Sequence, residues 1–113
     1  MRVKARKVEL DGIVFDSATE AAHYEKLKAL QRCGQISKLQ VHPVFIFIVQ
    51  GIPVGKFRPD FVFHDENDRV VVHEVKGWKR SAKTGKLLPR VDRDFRLRAR
   101  LMEACFGLVV TVV

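Results

Sequence analysis

Polar and apolar positions along this chain fall into short blocks whose period changes. In residues 8–15, VELDGIVF, Asp11-Gly12 separates two short apolar-rich runs. Such a pair predicts a tight hairpin, since both residues tolerate φ > 0. From Ser17 to Arg32 the apolar spacing becomes helical, and Gly34 supplies the stop. VFIFIV (44–49) is a continuous apolar run and predicts a buried strand. Two more strands are predicted near 57–63 and 69–76, turning through HDEND. Residues 77–90, GWKRSAKTGKLLPR, read as an exposed basic loop. A second helix is predicted over Asp92–Phe106 and ends at Gly107, with LVVTVV (108–113) as a last buried strand. After the hairpin the predicted order is helix, three strands, helix, strand.

The two strands joined by HDEND carry residues that such strands do not ordinarily hold. With the turn centred on Asn67, residues whose numbers sum to about 134 face one another, which sets Asp60 against Glu74 with Cβ atoms roughly 5 Å apart. Like charges directly across a sheet destabilise it, so this register asks for a cation. Glu74 and Lys76 share one face of the strand, while Val75 points away. Two carboxylates and a lysine on one face suit a hard cation such as Mg²⁺. The alternative is a structural Glu74–Lys76 ion pair with Asp60 at the surface near the turn.

Both helices place a charge towards the core. Ser17-Ala-Thr-Glu20 fits a capping box, which accounts for Glu20 structurally. At about 100° per residue, Glu20 also lies roughly 20° from the direction shared by Tyr24, Leu27 and Leu30, so it points towards the sheet. On the second helix, Phe95, Ala99, Met102 and Phe106 form the apolar stripe, and Arg98 sits at its edge beside Cys105. An arginine there either snorkels, pairs with a carboxylate or lines a phosphate site.

The charge is localised. The chain has 113 residues and a net charge of +8, and residues 76–100 alone hold ten Lys/Arg against Asp92 and Asp94. Such concentration points to a polyanion, most simply nucleic acid; its alternative is a solvated face. The length fits a single domain over 1–113. No apolar run reaches 18 residues, and the basic N-terminus lacks an apolar signal core, so a cytoplasmic protein without a membrane span is expected. Cys33 and Cys105 offer no zinc framework, and His23, His42, His64 and His73 show no ligand spacing.

RPDFVF and EVKG, with the upstream FDSATEA helix, resemble the PD-(D/E)xK nuclease superfamily, and more closely small phage-encoded endonucleases related to archaeal-type Holliday-junction resolvases. The resemblance implies an α/β, restriction-endonuclease-like sandwich around a central mixed sheet. It implies Mg²⁺-dependent hydrolysis of DNA phosphodiesters, with Mn²⁺ as a substitute and branched or junction DNA as a substrate class in phage recombination or DNA processing. For a phage protein the compartment would be the host cytoplasm. Asp60 and Glu74 would be metal ligands, joined by the Val75 carbonyl and by Glu20, with Lys76 as the catalytic lysine and Arg98 lining the site. The resemblance says little about the basic loop; its charge and its closeness in sequence to Lys76 are what suggest that Lys79, Arg80, Lys83 and Lys86 grip the DNA backbone, while Trp78 either stacks on a base or sits at the edge of the core. A symmetric homodimer paired through the N-terminal hairpin is expected, because branched DNA presents two scissile strands. The rival functions are a non-catalytic nucleic-acid-binding module using residues 77–100 and a protein-interaction domain with a basic face.

Overall fold

A computed structural model describes residues 6–76, 78–89 and 93–113; the side chains of residues 78–80 and 89 lie outside that description. The N-terminal hairpin pairs β1 (Val8–Leu10) with β2 (Ile13–Phe15). Its turn uses Asp11 at φ 53° and Gly12 at φ 76°, the two left-handed residues of a type I′ turn. Asp11 then accepts from the Tyr24 hydroxyl at 2.8 Å and pairs with Lys28, tying the turn to α1 (Ala18–Arg32). Helix α1 starts at Ser17, whose hydroxyl accepts from the Glu20 N–H, and stops before Gly34 at φ 77°.

A four-stranded mixed sheet organises the rest. β3 (Ser37–Val41) pairs antiparallel with β6 (Phe61–His64), β6 pairs antiparallel with β7 (Val70–Glu74), and β7 pairs parallel with β10 (Val110–Val112). The β6–β7 turn is held by Asp65, whose carboxylate accepts from the Asn67 and Arg69 N–H groups at 2.9 Å each. That accounts for part of the acidic turn without any ligand.

Each face of the sheet packs against its own layer. On one face Phe61 and Phe63 meet Phe15, Ala21, Tyr24 and Leu27 of the hairpin and α1. On the other, Val62 and Val72 meet Phe95 and Met102 of α2 (Arg93–Phe106), together with Phe47 and Phe57. The protein is therefore α/β, with a mixed sheet and two helices. Among the described residues, no helix is long and apolar enough to cross a membrane.

Four expectations need correction. The apolar run 44–49 is not a buried strand of the central sheet. It forms β4 (Phe45–Val49), which pairs only with β5 (Ile52–Phe57) in a separate arm, and just one of its five residues, Phe47, is buried. The sheet position goes instead to β3, a polar-looking segment whose backbone satisfies the β6 edge. The predicted strand 57–63 is broken, because Pro59 cannot donate to a ladder; Phe57 ends one strand and Phe61 starts another. Within the 77–90 segment expected to be loop, β8 (Trp78–Arg80) and β9 (Leu87–Pro89) pair antiparallel, while residues 82–88 are exposed as expected. Finally, β10 is an edge strand with partly exposed side chains rather than a buried one. Asp92, the expected start of the second helix, lies outside the described residues.

Candidate metal centre

Strands β6 and β7 pair in the register that sets 61 against 73 and 64 against 70, so Asp60 falls opposite Glu74. Asp60 lies in the bend just before β6, and Glu74 is the last residue of β7. The backbone on both sides fixes them. The Val75 N–H donates to Asp60 Oδ2 at 2.7 Å, the His42 N–H donates to the Asp60 carbonyl at 3.0 Å, and the Val113 N–H donates to the Glu74 carbonyl at 2.9 Å. The Asp60 carboxylate and the backbone of both residues are thus fixed by main-chain bonds.

Glu74 is only 6% exposed, and its pKa is pushed up to about 8. Burial is the largest cause, followed by its hydrogen bond to Asp60 and the Asp60 charge. Lys76 Nζ stands 3.7 Å from Glu74 Oε2 and works in the opposite direction. The ammonium also lies 4.6 Å from the centre of the Phe95 ring, which holds it by a cation–π contact.

Glu20 approaches Asp60 from α1. It is 4% exposed, and its carboxylate does not complete the capping box by returning to the Ser17 N–H. It accepts instead from His42 Nε2 at 2.6 Å. Burial raises its pKa, partly offset by the His42 bond, and the Asp60 charge raises it further. Glu20, His42 and Asp60 each offer one ligand atom within 4.8 Å of the others.

His42 is the site residue the sequence analysis passed over. Spacing between histidines gave no sign of it, but β3 would have done so. Val41 pairs with Phe61, so the next residue along β3 meets the residue preceding β6, which is Asp60. His42 also adopts φ 54° immediately before Pro43, a left-handed conformation that costs a non-glycine residue about 1–3 kcal/mol.

The chemistry of the Glu20–His42–Asp60 cluster fits a divalent cation, with Glu74 adjoining it through Asp60 and not itself within the cluster. Carboxylate oxygens are of the kind Mg²⁺ and Mn²⁺ take, while an imidazole favours a transition metal over Mg²⁺. Beside it opens a cleft of about 540 Å³ lined by Val44, Lys56, Phe57, Arg58, Glu74 and Arg98. Arg98 therefore does stand near Glu74, with its guanidinium 5.9 Å from the Phe57 ring centre. Lys56 and Arg58, outside the basic segment singled out by charge counting, come from β5 and the bend after it.

Of the expected backbone-gripping residues, Lys83 and Lys86 are exposed between β8 and β9. The Lys79, Arg80 and Trp78 side chains lie outside the described residues.

No curated protein and no solved structure matches the chain. Residues 1–100 of the 113 match the model of a family described as "Protein of unknown function (DUF1064)", and the chain belongs to that family.

Proposed function

We propose that this protein is a metal-dependent DNA endonuclease of the PD-(D/E)xK type. The observation that carries this is the meeting of Asp60 and Glu74 at adjacent strand ends, with Lys76 Nζ 3.7 Å from Glu74. Purely structural acids would not be packed against one another and denied solvent, since each buried charge is costly without a cation. Glu74 answers that cost by holding a proton to about pH 8.

The chain's own groups have separable tasks. Asp60 and Glu74, with Glu20, His42 and the Val75 carbonyl, would hold the ion. A divalent cation bound there would polarise a phosphate oxygen and acidify a water towards neutrality. Lys76, seated on Phe95, keeps a positive charge beside Glu74, where it can orient that water or neutralise the developing oxyanion. Lys56, Arg58 and Arg98 make the cleft cationic and so suited to a phosphate backbone. Branched or junction DNA is the substrate class the motif resemblance favours.

The test is a gel assay with linear, nicked, flapped and four-way DNAs, with Mg²⁺, Mn²⁺ or chelator present. Cleavage of at least one DNA, lost on chelation, is expected. Binding without cleavage of any DNA under all cation conditions would favour the non-catalytic nucleic-acid-binding module.

A further inference from the structure

The β4–β5 arm is an uncovered apolar surface. Most of it falls within residues 39–55, the longest stretch of the chain without Asp, Glu, Lys or Arg, and Lys56, opposite Ile46 at its base, is its one charged residue. One side of β4 is spent on the core: Phe47 is fully buried, and Phe45 and Phe47 lie 5.2 Å and 6.2 Å from the Phe106 ring. The alternate positions Val44, Ile46 and Ile48 are 54–58% exposed. Val49, Ile52 and Val54 extend the exposed surface around the tip, where Gln50-Gly51 makes the turn. Val14, Val70 and Val109 are exposed singly, and Leu87 and Leu88 are exposed as a pair of consecutive residues.

We propose that this arm is the contact surface between two copies of this chain in a two-fold dimer. Charge selects the occupant. Two protomers of net charge +8 repel, so a stable contact between them is favoured where charge is sparse, and the tip of the arm over residues 44–55, beyond Lys56 at its base, carries none. Nucleic acid is poorly matched, because residues 44–55 offer its phosphates no cation.

The area reaches the lower end of what a dimer needs. Six aliphatic side chains, each about half exposed, leave on the order of 500 Å² in contact with water, the upper range for one patch on a monomer. Two copies that wrapped both faces of the tip, Ile46 and Ile48 on one and Val49 and Ile52 on the other, would bury at most about 1,000 Å², the lower bound of a specific interface. An isologous contact needs a surface that matches itself, and an uncharged aliphatic face does so without register-specific pairs.

The N-terminal hairpin, the contact expected from sequence, is less suited. It turns Val8, Leu10, Ile13 and Phe15 into the core and leaves Val14 outside. The arm also leads into the cleft, since Lys56 and Phe57 of β5 line it. A dimer through the arms would hold two clefts in one fixed relation. The contact is independent of the activity proposed above.

Analytical ultracentrifugation over a concentration series tests this, with Ile48→Glu/Ile52→Glu as the disrupting variant and Val14→Glu as the control. Both sites are exposed, so far-UV circular dichroism should be unchanged. A concentration-dependent dimer in wild type and Val14→Glu, and a monomer in the double variant, is expected. Wild-type hydrogen exchange gives a check without mutation, as amides at 45–57 should gain protection with rising protein concentration. A wild type that stays monomeric throughout would overturn the proposal. So would a double variant that dimerises like wild type, or arm protection that appears only when DNA is added.

Discussion

At the strand ends, Glu20 and Glu74 are 4% and 6% exposed, whereas on the β4–β5 arm Ile48 and Ile52 are 55% and 63% exposed. The first region puts acids where a core would have aliphatics, and the second puts aliphatics where a surface would have acids. Each is unfavourable alone, but relief comes from different chemistry. Buried carboxylates are relieved by a proton or a cation, and Glu74 takes the proton in the metal-free protein. Exposed isoleucines are relieved only by another apolar surface. The comparison separates two needs of one small domain: a charge-selective site and a charge-free contact.

The sharpest way to break the comparison is to remove the charge beside the acids. Lys76→Ala should slow DNA cleavage roughly 10²–10⁴-fold, the usual weight of a positioned acid–base group. DNA affinity, measured by fluorescence anisotropy, should hardly change, because the cleft keeps Lys56, Arg58 and Arg98. An unchanged rate would leave Lys76 as a structural partner of Glu74.

A second effect lies in stability. Saturating Mn²⁺ should raise the thermal transition, with a gain of about 2.7 kcal/mol at 100 times Kd. Glu74→Gln should lose most of that gain, while Ile48→Glu/Ile52→Glu should keep it, apart from any contribution of dimer dissociation. A full gain in Glu74→Gln would place the ion elsewhere.

The pH dependence of the metal-free protein should show the same buried acid. Glu74 has its folded pKa raised from 4.5 to about 8, so the folded state keeps a proton that the unfolded chain releases. Its stabilising contribution is complete below pH 4.5 and is lost as pH rises through 8. His73 acts in the other direction. Burial and the neighbouring His23, 3.0 Å away, lower its pKa from 6.5 to about 4, so its contribution is present above 6.5 and lost as pH falls towards 4. Denaturant melts across this range should show a weaker alkaline loss in Glu74→Gln and a weaker acid loss in His73→Phe. If both variants follow the wild-type curve, these groups are not the titrating ones.

The smallest effects concern selectivity and charge. His42→Ala should narrow the preference for Mn²⁺ over Mg²⁺ in a calorimetric titration, since it removes the one nitrogen donor from the cluster. An unaltered preference would make His42 only the support of Glu20. In salt titrations of DNA binding, each lost phosphate contact changes the log–log slope by about 0.9. Lys56→Ala/Arg58→Ala and Lys83→Ala/Lys86→Ala therefore tell which basic group lies on the DNA path.

Much of this was legible where local chemistry is decisive. Asp11-Gly12 admits few alternatives to a tight turn, and Ser17 and Gly34 bound α1 as their backbone preferences require. The β6–β7 register followed from one turn, so the Asp60–Glu74 encounter could be read before any fold was known. The arm was misread because a continuous apolar run carries no record of which neighbour covers it. β3 was missed because Ser37–Val41 is mixed in polarity and bulged at its start, with Lys38 at φ 54°. Missing β3 hid His42, since only the β3–β6 ladder brings it to Asp60. Lys56 and Arg58 were overlooked for a related reason. Charge counting along the chain finds clusters in sequence, while the cleft collects its cations from β5, the following bend and α2.

The central claim is that Asp60 and Glu74 bind a divalent cation for phosphodiester cleavage. Its most direct test is the conversion of supercoiled plasmid to nicked circles by wild type and Asp60→Ala, followed over a Mn²⁺ titration beginning from chelated protein. The account predicts that wild-type activity appears with Mn²⁺ and saturates, while Asp60→Ala stays at the chelated baseline. Nicking by Asp60→Ala at the wild-type rate, or by wild type in excess chelator, would contradict it.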